Sequence, residues 1–226
     1  MVKVHQIRLG FTNCYILEGL DIIMVDGGPP GKIDSFVKHL NALDIIPEAI
    51  KLLIATHGHI DHIGTAADIK KLTGAEIAIH ESERDYIEKG TVSIPPGVNF
   101  WGSFLVKLIK VLSSDFQCHN TEVDIVLDSN DFNLSAYGVP GKVIHTPGHS
   151  KGSVSILLDT GEAFVGDLVM NAFPLTLRPG PPVFAEDIFQ AQASLTALIN
   201  KGAEILYPSH GQPFPARKIY RNLKFR

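Results

Sequence analysis

The sequence predicts an α/β domain built from two packed β-sheets with helices on the outside. Two observations predict this class. Short apolar strands alternate with amphipathic helices in both halves of the chain, and 45% of the 226 residues are hydrophobic. A chain of this size can bury roughly 70% of its unfolded surface around one core. We therefore expect residues 1–226 to form a single domain.

Turn residues divide the first 26 residues into three predicted strands, at 2–9, 14–18 and 21–25. From 33 to 43 the apolar residues recur at helical spacing, and Pro47 ends the pattern. The run 49–55 is apolar apart from one lysine, which is typical of a strand buried on both faces. The chain is thus expected to open as a β-meander followed by a helix and a central strand.

Helices and strands continue to alternate further along the chain. The pattern predicts helices over 61–72 and 187–200, and a strand over 76–79. Further strands are predicted near 123–127, 142–146, 153–158, 163–166 and 204–207. Both halves therefore supply strands to a sheet and helices to cover it.

Residues 91–120 depart from this alternation. After a Pro-Pro-Gly turn, the segment 100–112 is strongly apolar, contains two lysines and is predicted to be a helix. Beside an active site, such an insertion forms a lid and a hydrophobic wall for an apolar substrate group. The same pattern is equally typical of a helix that covers the core, or of a contact between two copies in a homodimer.

Composition excludes several classes of protein. With 20 Lys+Arg against 24 Asp+Glu, the net charge is −4 and the pI is near 6.2, so no polycationic surface for nucleic acid is expected. No uncharged run approaches the roughly 18 residues of a membrane span. The N-terminus alternates like a strand and shows no secretory signal, so we expect a cytoplasmic protein without stable membrane association. Cys14 and Cys118 are expected to be buried thiols.

The strongest local signal is the segment 56–64, which reads THGHIDHIG. It places three imidazoles and one carboxylate directly after a predicted buried strand, at His57, His59, Asp61 and His62. A strand-end loop that turns into a helix lets the first two side chains face one point and the last two a second point nearby. Imidazole with carboxylate is the donor set of zinc, and also of iron or manganese in open sites. The pattern favours two metal ions over a loop of solvated histidines.

Three further residues each end an apolar strand-like run: His149, Asp167 and His210. Taken singly, each is more typical of a capping residue or a hydrogen-bonded core histidine. Taken together with the 56–64 segment, they complete a set of five histidines and two aspartates. Such a set can give each of two metals three ligands of its own and one shared carboxylate. His80 and His145 also follow strand-like runs, but we interpret them as ordinary hydrogen-bonded histidines.

The ordered series His-x-His-x-Asp-His, His, Asp, His resembles the metallo-β-lactamase superfamily, and the resemblance spans most of the chain. It implies a four-layer αββα sandwich, in which two mixed β-sheets pack face to face with helices on both outer sides. It also implies a first metal held by His57, His59 and His149, a second held by Asp61, His62 and His210, and Asp167 bridging them. Asp26 resembles the aspartate of a family turn that supports the ligands.

Two such metals, zinc in the first instance and iron or manganese as alternatives, would activate a bridging hydroxide and polarise the substrate. No Ser or Cys nucleophile is then needed. Asp61 is the predicted catalytic residue, because it can both ligate the second metal and orient the hydroxide before passing a proton toward the leaving group. Full turnover by an Asp61→Asn variant that keeps both metals would contradict this role.

Within the superfamily, the chain resembles the small-molecule hydrolases of the glyoxalase II and lactonase-like branch, although it matches no subfamily pattern in full. Antibiotic β-lactamases of the two-zinc type carry a cysteine at the position of Asp167, glyoxalase II enzymes a histidine at that of Gly58, and quorum-quenching lactonases a tyrosine at that of Met170. We therefore expect cleavage of an ester, thioester or lactone, and not antibiotic hydrolysis.

The main alternative is a persulfide dioxygenase with a single iron on His57, His149 and Asp167. A phosphodiesterase or ribonuclease is less favoured, because a chain of net charge −4 is not expected to carry a basic surface that binds RNA. A non-catalytic binding module is also less favoured, because all seven ligand positions are filled.

Overall fold

The computed structural model describes residues 2–91, 96–98, 102, 119–172, 176 and 178–220. The predicted lid insertion falls mostly outside this part of the chain, as does all of its apolar segment 100–112 except Gly102. Cys118 also lies outside it. Cys14 is a buried free thiol, as predicted.

The first sheet is formed by the N-terminal half of the described chain. Its strands are β1 (Lys3–Leu9), β2 (Thr12–Glu18), β3 (Ile22–Val25), β4 (Ile50–Ile54), β5 (Glu76–His80) and β6 (Ile125–Leu127). They lie side by side in chain order. The pairs β1–β2 and β2–β3 are antiparallel, and the pairs from β3 to β6 are parallel. The sheet is therefore mixed.

The second sheet is formed by the C-terminal half. Its strands are β7 (Phe132–Asn133), β8 (Gly141–His145), β9 (Val154–Leu158), β10 (Glu162–Gly166), β11 (Ile205–Pro208) and β12 (Phe214–Pro215). They also lie in chain order, and every pair is antiparallel except β10–β11. This sheet is mixed as well.

Six helices of the described chain cover these sheets. They are α1 (Ile33–Ala42), α2 (Ile60–Ile63), α3 (Ala66–Thr73), α4 (Arg84–Glu88), α5 (Ile188–Asn200) and α6 (Arg217–Tyr220). The longest of them, α5, has 13 residues, fewer than the roughly 20 that a bilayer requires. No helix in the described ranges has the length and apolar character of a membrane span.

Alternating side chains of the central strands separate three apolar clusters. On β2, Ile16 packs into the cluster beneath α1 and α3, whereas Tyr15 and Leu17 pack between the sheets. The cluster between the sheets is completed by residues of the second sheet such as Ile156 and Phe164. A third cluster joins the outer face of β9–β11 to α5. The period-2 burial of strands thus produces the layers α, β, β and α, which confirms the predicted fold class.

The predicted helix over 61–72 is two helices, because α2 ends at Ile63 and α3 begins at Ala66. A side chain at Gly64 would collide with the backbone of Pro30, so this point of the chain lies against the 29–30 turn. The Thr65 hydroxyl donates a hydrogen bond to the Pro29 carbonyl. These long-range contacts lie at the interruption of the helix at residues 64–65, which sequence periodicity does not reveal.

Candidate metal centre

The seven predicted ligand residues meet at one end of the sandwich. His57 and His59 follow β4, and Asp61 and His62 lie on α2. The other three ligands follow strands or a hairpin of the second sheet: His149 lies between β8 and β9, Asp167 follows β10 and His210 follows β11. The carboxyl ends of strands from both sheets therefore supply the site, as expected for an α/β sandwich.

The first group consists of His57, His59 and His149, whose ligand nitrogens all lie within 4.8 Å of one another. The His59 Nδ1 and His149 Nε2 atoms are 2.9 Å apart. All three residues are buried. Three converging imidazoles match a ligand set of divalent ions such as zinc.

The second group consists of Asp61, His62 and His210, and its ligand atoms also lie within 4.8 Å of one another. The Asp61 Oδ2 atom is 3.2 Å from His210 Nε2 and 3.6 Å from His62 Nε2. The Asp61 side chain is 22% exposed, whereas those of His62 and His210 are 0% and 7% exposed. Asp61 is therefore the most exposed of the seven ligand side chains.

Asp167 lies between the two groups. Its Oδ1 atom is 3.6 Å from His62 Nε2 and 3.4 Å from His210 Nε2, both in the second group. Its Oδ2 atom is 3.7 Å from His149 Nε2 in the first group. One carboxylate thus reaches both sets of imidazoles.

Three atoms of the cluster are buried without a hydrogen-bond partner among the described residues: His57 Nε2, His62 Nε2 and Asp167 Oδ1. An unsatisfied buried polar atom costs about 1–3 kcal/mol, so native structures rarely keep several together. Divalent cations would satisfy all three atoms, and imidazole with carboxylate is the donor chemistry they require. The residues present therefore fit divalent metal binding.

The outer nitrogen of each of three ligand histidines is held by one hydrogen bond. His149 Nδ1 lies 2.7 Å from the Phe184 carbonyl, and His210 Nδ1 lies 3.4 Å from the Phe11 carbonyl. A carbonyl only accepts, so each Nδ1 carries the proton and leaves Nε2 with a free electron pair. His62 Nδ1 makes the equivalent contact with Asp26, at 2.8 Å. Such contacts set the tautomer and the ring direction of metal-binding histidines.

Asp26 is the centre of the hydrogen bonds behind the second group. Its fully buried carboxylate accepts from the Thr56 amide at 2.8 Å, from the Thr56 hydroxyl and from the Ser209 hydroxyl at 3.1 Å, in addition to His62. Its backbone φ is 61°, a left-handed conformation that is uncommon outside glycine. Thr56 and Ser209 were not singled out from the sequence, although each directly precedes a ligand histidine.

Burial controls the protonation of the first group. It lowers the pKa of His57 well below its usual range, with a further contribution from the neighbouring imidazoles. It also lowers the pKa of His59 to about 3 and that of His149 below its usual value. These imidazoles are therefore neutral at pH 7, the form that binds a metal.

In the second group, contacts between carboxylates and imidazoles set the pKa values. Burial alone would lower the pKa of His62 and His210, but nearby carboxylates, chiefly Asp26 for His62 and Asp167 for His210, raise both. Burial alone would raise the pKa of Asp61 and Asp167, but the imidazoles beside them lower both. Both carboxyls are thus ionised and give the cluster the negative charge that a cation requires.

His80 and His145 belong to none of the groups of potential metal ligands found among the described residues. Their rings stack on each other, with centroids 4.2 Å apart. His80 Nδ1 accepts from the Ser82 amide at 3.2 Å, and His145 Nε2 lies 2.8 Å from the Lys151 carbonyl. This agrees with their interpretation as ordinary hydrogen-bonded histidines.

Comparison with known sequences points to one family. The family model described as Metallo-beta-lactamase superfamily matches residues 7–210. The chain is 26% identical over 243 residues to "Probable metallo-hydrolase YflN" of Bacillus subtilis, covering 97% of this chain and 88% of that protein. It is 24% identical over 204 residues to "Beta-lactamase-like protein 2 homolog" of Drosophila melanogaster, covering 88% of this chain and 58% of that protein.

Comparison with solved structures concerns the fold. The crystal structure of the BLEG-1 B3 metallo-beta-lactamase superposes with a TM-score of 0.73 at 22% sequence identity. The superposition covers 97% of each chain. The two chains therefore share the arrangement of two sheets and outer helices described above.

Proposed function

This chain belongs to the metallo-beta-lactamase superfamily and is a metallo-hydrolase, and on that premise we propose that it uses two divalent metal ions to cleave an ester, thioester or lactone bond in a small molecule. The observation that carries the proposal is the pair of adjacent three-residue donor groups with the Asp167 carboxylate between them. Zinc is the proposed metal, because five imidazoles and two carboxylates are the ligands it prefers.

The proposal assigns each ligand residue to one of two metal ions or to both. His57, His59 and His149 would hold the first ion, Asp61, His62 and His210 would hold the second, and Asp167 would contact both. Bound divalent ions supply a polarised substrate oxygen and a water of lowered pKa. The remaining chemistry is proton transfer and positioning, which the protein itself provides.

Asp61 is the proposed catalytic residue. Its carboxylate is ionised at neutral pH because the imidazoles beside it lower its pKa, although burial alone would raise that pKa. It is also the most exposed of the seven ligand side chains, at 22%. An ionised carboxylate in this position can orient a nucleophilic water and accept its proton.

One exposed aromatic side chain beside the second donor group supports a substrate with an acyl group. Phe11 is 59% exposed in the turn between β1 and β2, and its ring stacks on the His210 ring with centroids 5.8 Å apart. An aromatic ring in this position offers an apolar wall directly beside the proposed second metal. We therefore place the hydrocarbon part of the substrate against Phe11.

Metal analysis combined with activity assays tests the proposal. Protein purified without added metal is analysed for metals per chain and assayed on a thioester, a lactone, a phosphodiester and glutathione persulfide. We expect two zinc or manganese ions per chain and turnover of the thioester or the lactone. Asp61→Asn protein that retains metal should lose at least 100-fold in kcat, within the range for loss of a general base.

Three outcomes would contradict the proposal. One iron per chain with oxygen uptake on glutathione persulfide would indicate a dioxygenase, for which Asp61, His62 and His210 are not ligands. Turnover of the phosphodiester alone would change the substrate class. Protein that binds no divalent metal and turns over none of the four compounds would indicate a binding module.

A further inference from the structure

Glu83 is a buried carboxylate that the proposed chemistry leaves without a role. It lies in the short 3-10 turn Glu81–Glu83 that follows β5, and it is 2% exposed. Its neighbour Glu81 in the same turn is exposed. Burying an ionised side chain is costly unless it is hydrogen-bonded, so the partners of Glu83 identify its role.

The two carboxylate oxygens of Glu83 accept hydrogen bonds from two different loops. Oε2 accepts from the Gly58 amide at 2.9 Å, and Oε1 accepts from the Gly152 amide at 2.9 Å. Gly58 stands between His57 and His59, and Gly152 follows His149 by three residues in the β8–β9 hairpin. One side chain therefore joins the two loops that carry the whole first donor group.

Close packing shows why both amide positions are glycines. A side chain on Gly58 would collide with the ring of Tyr86 and would come within 2.7 Å of Glu83 Oε2. A side chain on Gly152 would collide with Glu83 Cγ. The backbones of both loops must approach Glu83 this closely for their amides to reach it. Gly58 is also the position at which the sequence departs from the glyoxalase II pattern, and no histidine fits there.

The geometry excludes Glu83 from the ligands themselves. Within the described part of the chain, the donor groups that converge on a common point do not include it. Both its oxygens are already engaged by backbone amides, through charge-assisted bonds that are about twice as strong as neutral ones. Its influence on the site must therefore act through the loops.

We propose that Glu83 is a positioning residue that fixes the distance between the His57–His59 loop and the His149 hairpin, and so preforms the first metal site. This inference rests on the proposed function, because it requires that the first donor group binds a metal. The second group does not depend on this contact, since His62 is held by Asp26 and His210 by the Phe11 carbonyl. Loss of Glu83 should therefore weaken one metal site and spare the other.

Zinc affinities of single-site proteins test this selectivity. His210→Ala removes a ligand of the second site and leaves the first, and His149→Ala does the reverse. Glu83→Gln is introduced into each background, because glutamine keeps the size of the side chain but offers one acceptor and points an N–H₂ group at a backbone donor. Zinc binding is measured by competition with a chromophoric chelator, and Glu81→Gln serves as the control for loss of one negative charge.

We expect Glu83→Gln to weaken zinc binding 10- to 100-fold in the His210→Ala background, the usual effect of removing an outer-shell partner. In the His149→Ala background the change should be less than threefold, and Glu81→Gln should have no effect in either. Equal weakening in both backgrounds would indicate a general structural role, and no weakening in the first would also overturn the inference. Failure of the unsubstituted protein to bind zinc would instead contradict the proposed function.

Partial unfolding of the variant is a separate explanation that circular dichroism of the metal-free proteins tests. If Glu83→Gln loses its fold, Glu83→Asp, which keeps the charge but withdraws the carboxylate by one methylene group, should show the same preference for the first site. Equal effects of Glu83→Asp on both sites, or effects confined to the second site, would overturn the inference.

Discussion

Asp26 sets the direction of a ligand through a single hydrogen bond. Its carboxylate receives the Nδ1 proton of His62 at 2.8 Å, which leaves His62 Nε2 unpartnered and directed at Asp61 and Asp167. The same carboxylate binds Thr56 and Ser209, so it also joins the end of β4 to the end of β11. One buried residue therefore links ligand orientation to the packing of the two sheets.

We predict that Asp26→Asn weakens zinc binding at the second site 10- to 100-fold. The amide removes the negative charge that faces His62 and can present an N–H₂ group to the imidazole proton. Binding is measured in the His149→Ala background, in which the second donor group is intact. Asp34→Asn, an exposed substitution in the first turn of α1, should leave the affinity unchanged, and equal effects of the two variants would refute the prediction.

Phe11 provides a prediction about substrate selection. Phe11→Ala removes the apolar ring beside His210, so it should raise KM for esters with long acyl chains by about tenfold. A loss of about 1.4 kcal/mol of apolar contact corresponds to this factor. Acetyl esters should change less than threefold. The control is Leu20→Ala, because Leu20 is 93% exposed at the opposite end of β2; a uniform rise in KM for short and long esters would contradict the prediction.

At the scale of elements, the site depends on strands that end together. β4, β10 and β11 all finish at the same edge of the sandwich, and each is followed within a few residues by a ligand. The Asn13 amide donates to the Ser209 carbonyl, and the Val154 amide donates to the Thr56 carbonyl. These bonds join the two sheets at the edge that carries the ligands. The short helix α2 (Ile60–Ile63) follows β4 at this edge and carries Asp61 and His62.

One surface carboxylate connects three elements of the first sheet. Asp124 Oδ2 accepts from the Lys70 ammonium of α3 at 2.6 Å and from the Ile77 amide of β5 at 2.8 Å, and Asp124 itself leads into β6. Burial alone would raise the pKa of this carboxyl, but Lys70 and the amide lower it below 3.8. A lowered folded-state pKa stabilises the protein above the unfolded value, and the contribution disappears as pH falls.

We predict that Asp124→Asn lowers the free energy of unfolding by about 0.5–1 kcal/mol at pH 7, the range for a partly exposed ion pair. The difference from the unsubstituted protein should persist down to about pH 4 and shrink as pH falls further, through the lowered pKa of Asp124. Urea unfolding of metal-free protein between pH 3 and pH 7 measures it. Asp159→Asn, at an exposed turn position, should show no such trend; a constant Asp124→Asn difference at all pH values would contradict the assignment.

At the scale of the whole molecule, a cluster of unpartnered donors joins the two halves of the fold. His57, His59, Asp61 and His62 come from the first half, and His149, Asp167 and His210 come from the second. A metal that binds both halves stabilises only the folded chain, because the unfolded chain does not hold these residues together. Loss of the metal should therefore lower the thermal stability of the whole protein.

We predict that removal of metal with a chelator lowers the Tm by about 5–10 °C for each ion lost. A ligand at 100 times its Kd contributes about 2.7 kcal/mol, and each kcal/mol shifts the Tm of a domain of this size by about 2–4 °C. Differential scanning calorimetry measures the shift, and added zinc should reverse it. A double variant His149→Ala/His210→Ala, which lacks a ligand at each site, should show no response to chelator, and an unchanged Tm in the unsubstituted protein would contradict the prediction.

The sequence predicted the elements with strong local patterns and missed those without them. The long strands and the helices α1 and α5 were anticipated within a few residues, because apolar periodicity and turn residues act locally. The strands β7 and β12 have two residues each, and α4 has five, so they are too short to produce a period. The split between α2 and α3 depends on contacts with residues 29–30, which lie more than 30 positions away.

The sequence by itself determined the fold class and the seven residues that converge, because their chemistry and their positions at strand ends can be recognised one motif at a time. The resemblance to a family already implied how those residues group, and only the tertiary structure decided which atom of each imidazole is free and which residues hold the ligands in place. Glu83 shows the reason. Its carboxylate accepts from the amides of Gly58 and Gly152, which lie 25 and 69 residues away in the sequence. Because only folding brings this side chain to those backbone amides, no local sequence pattern predicts the interaction.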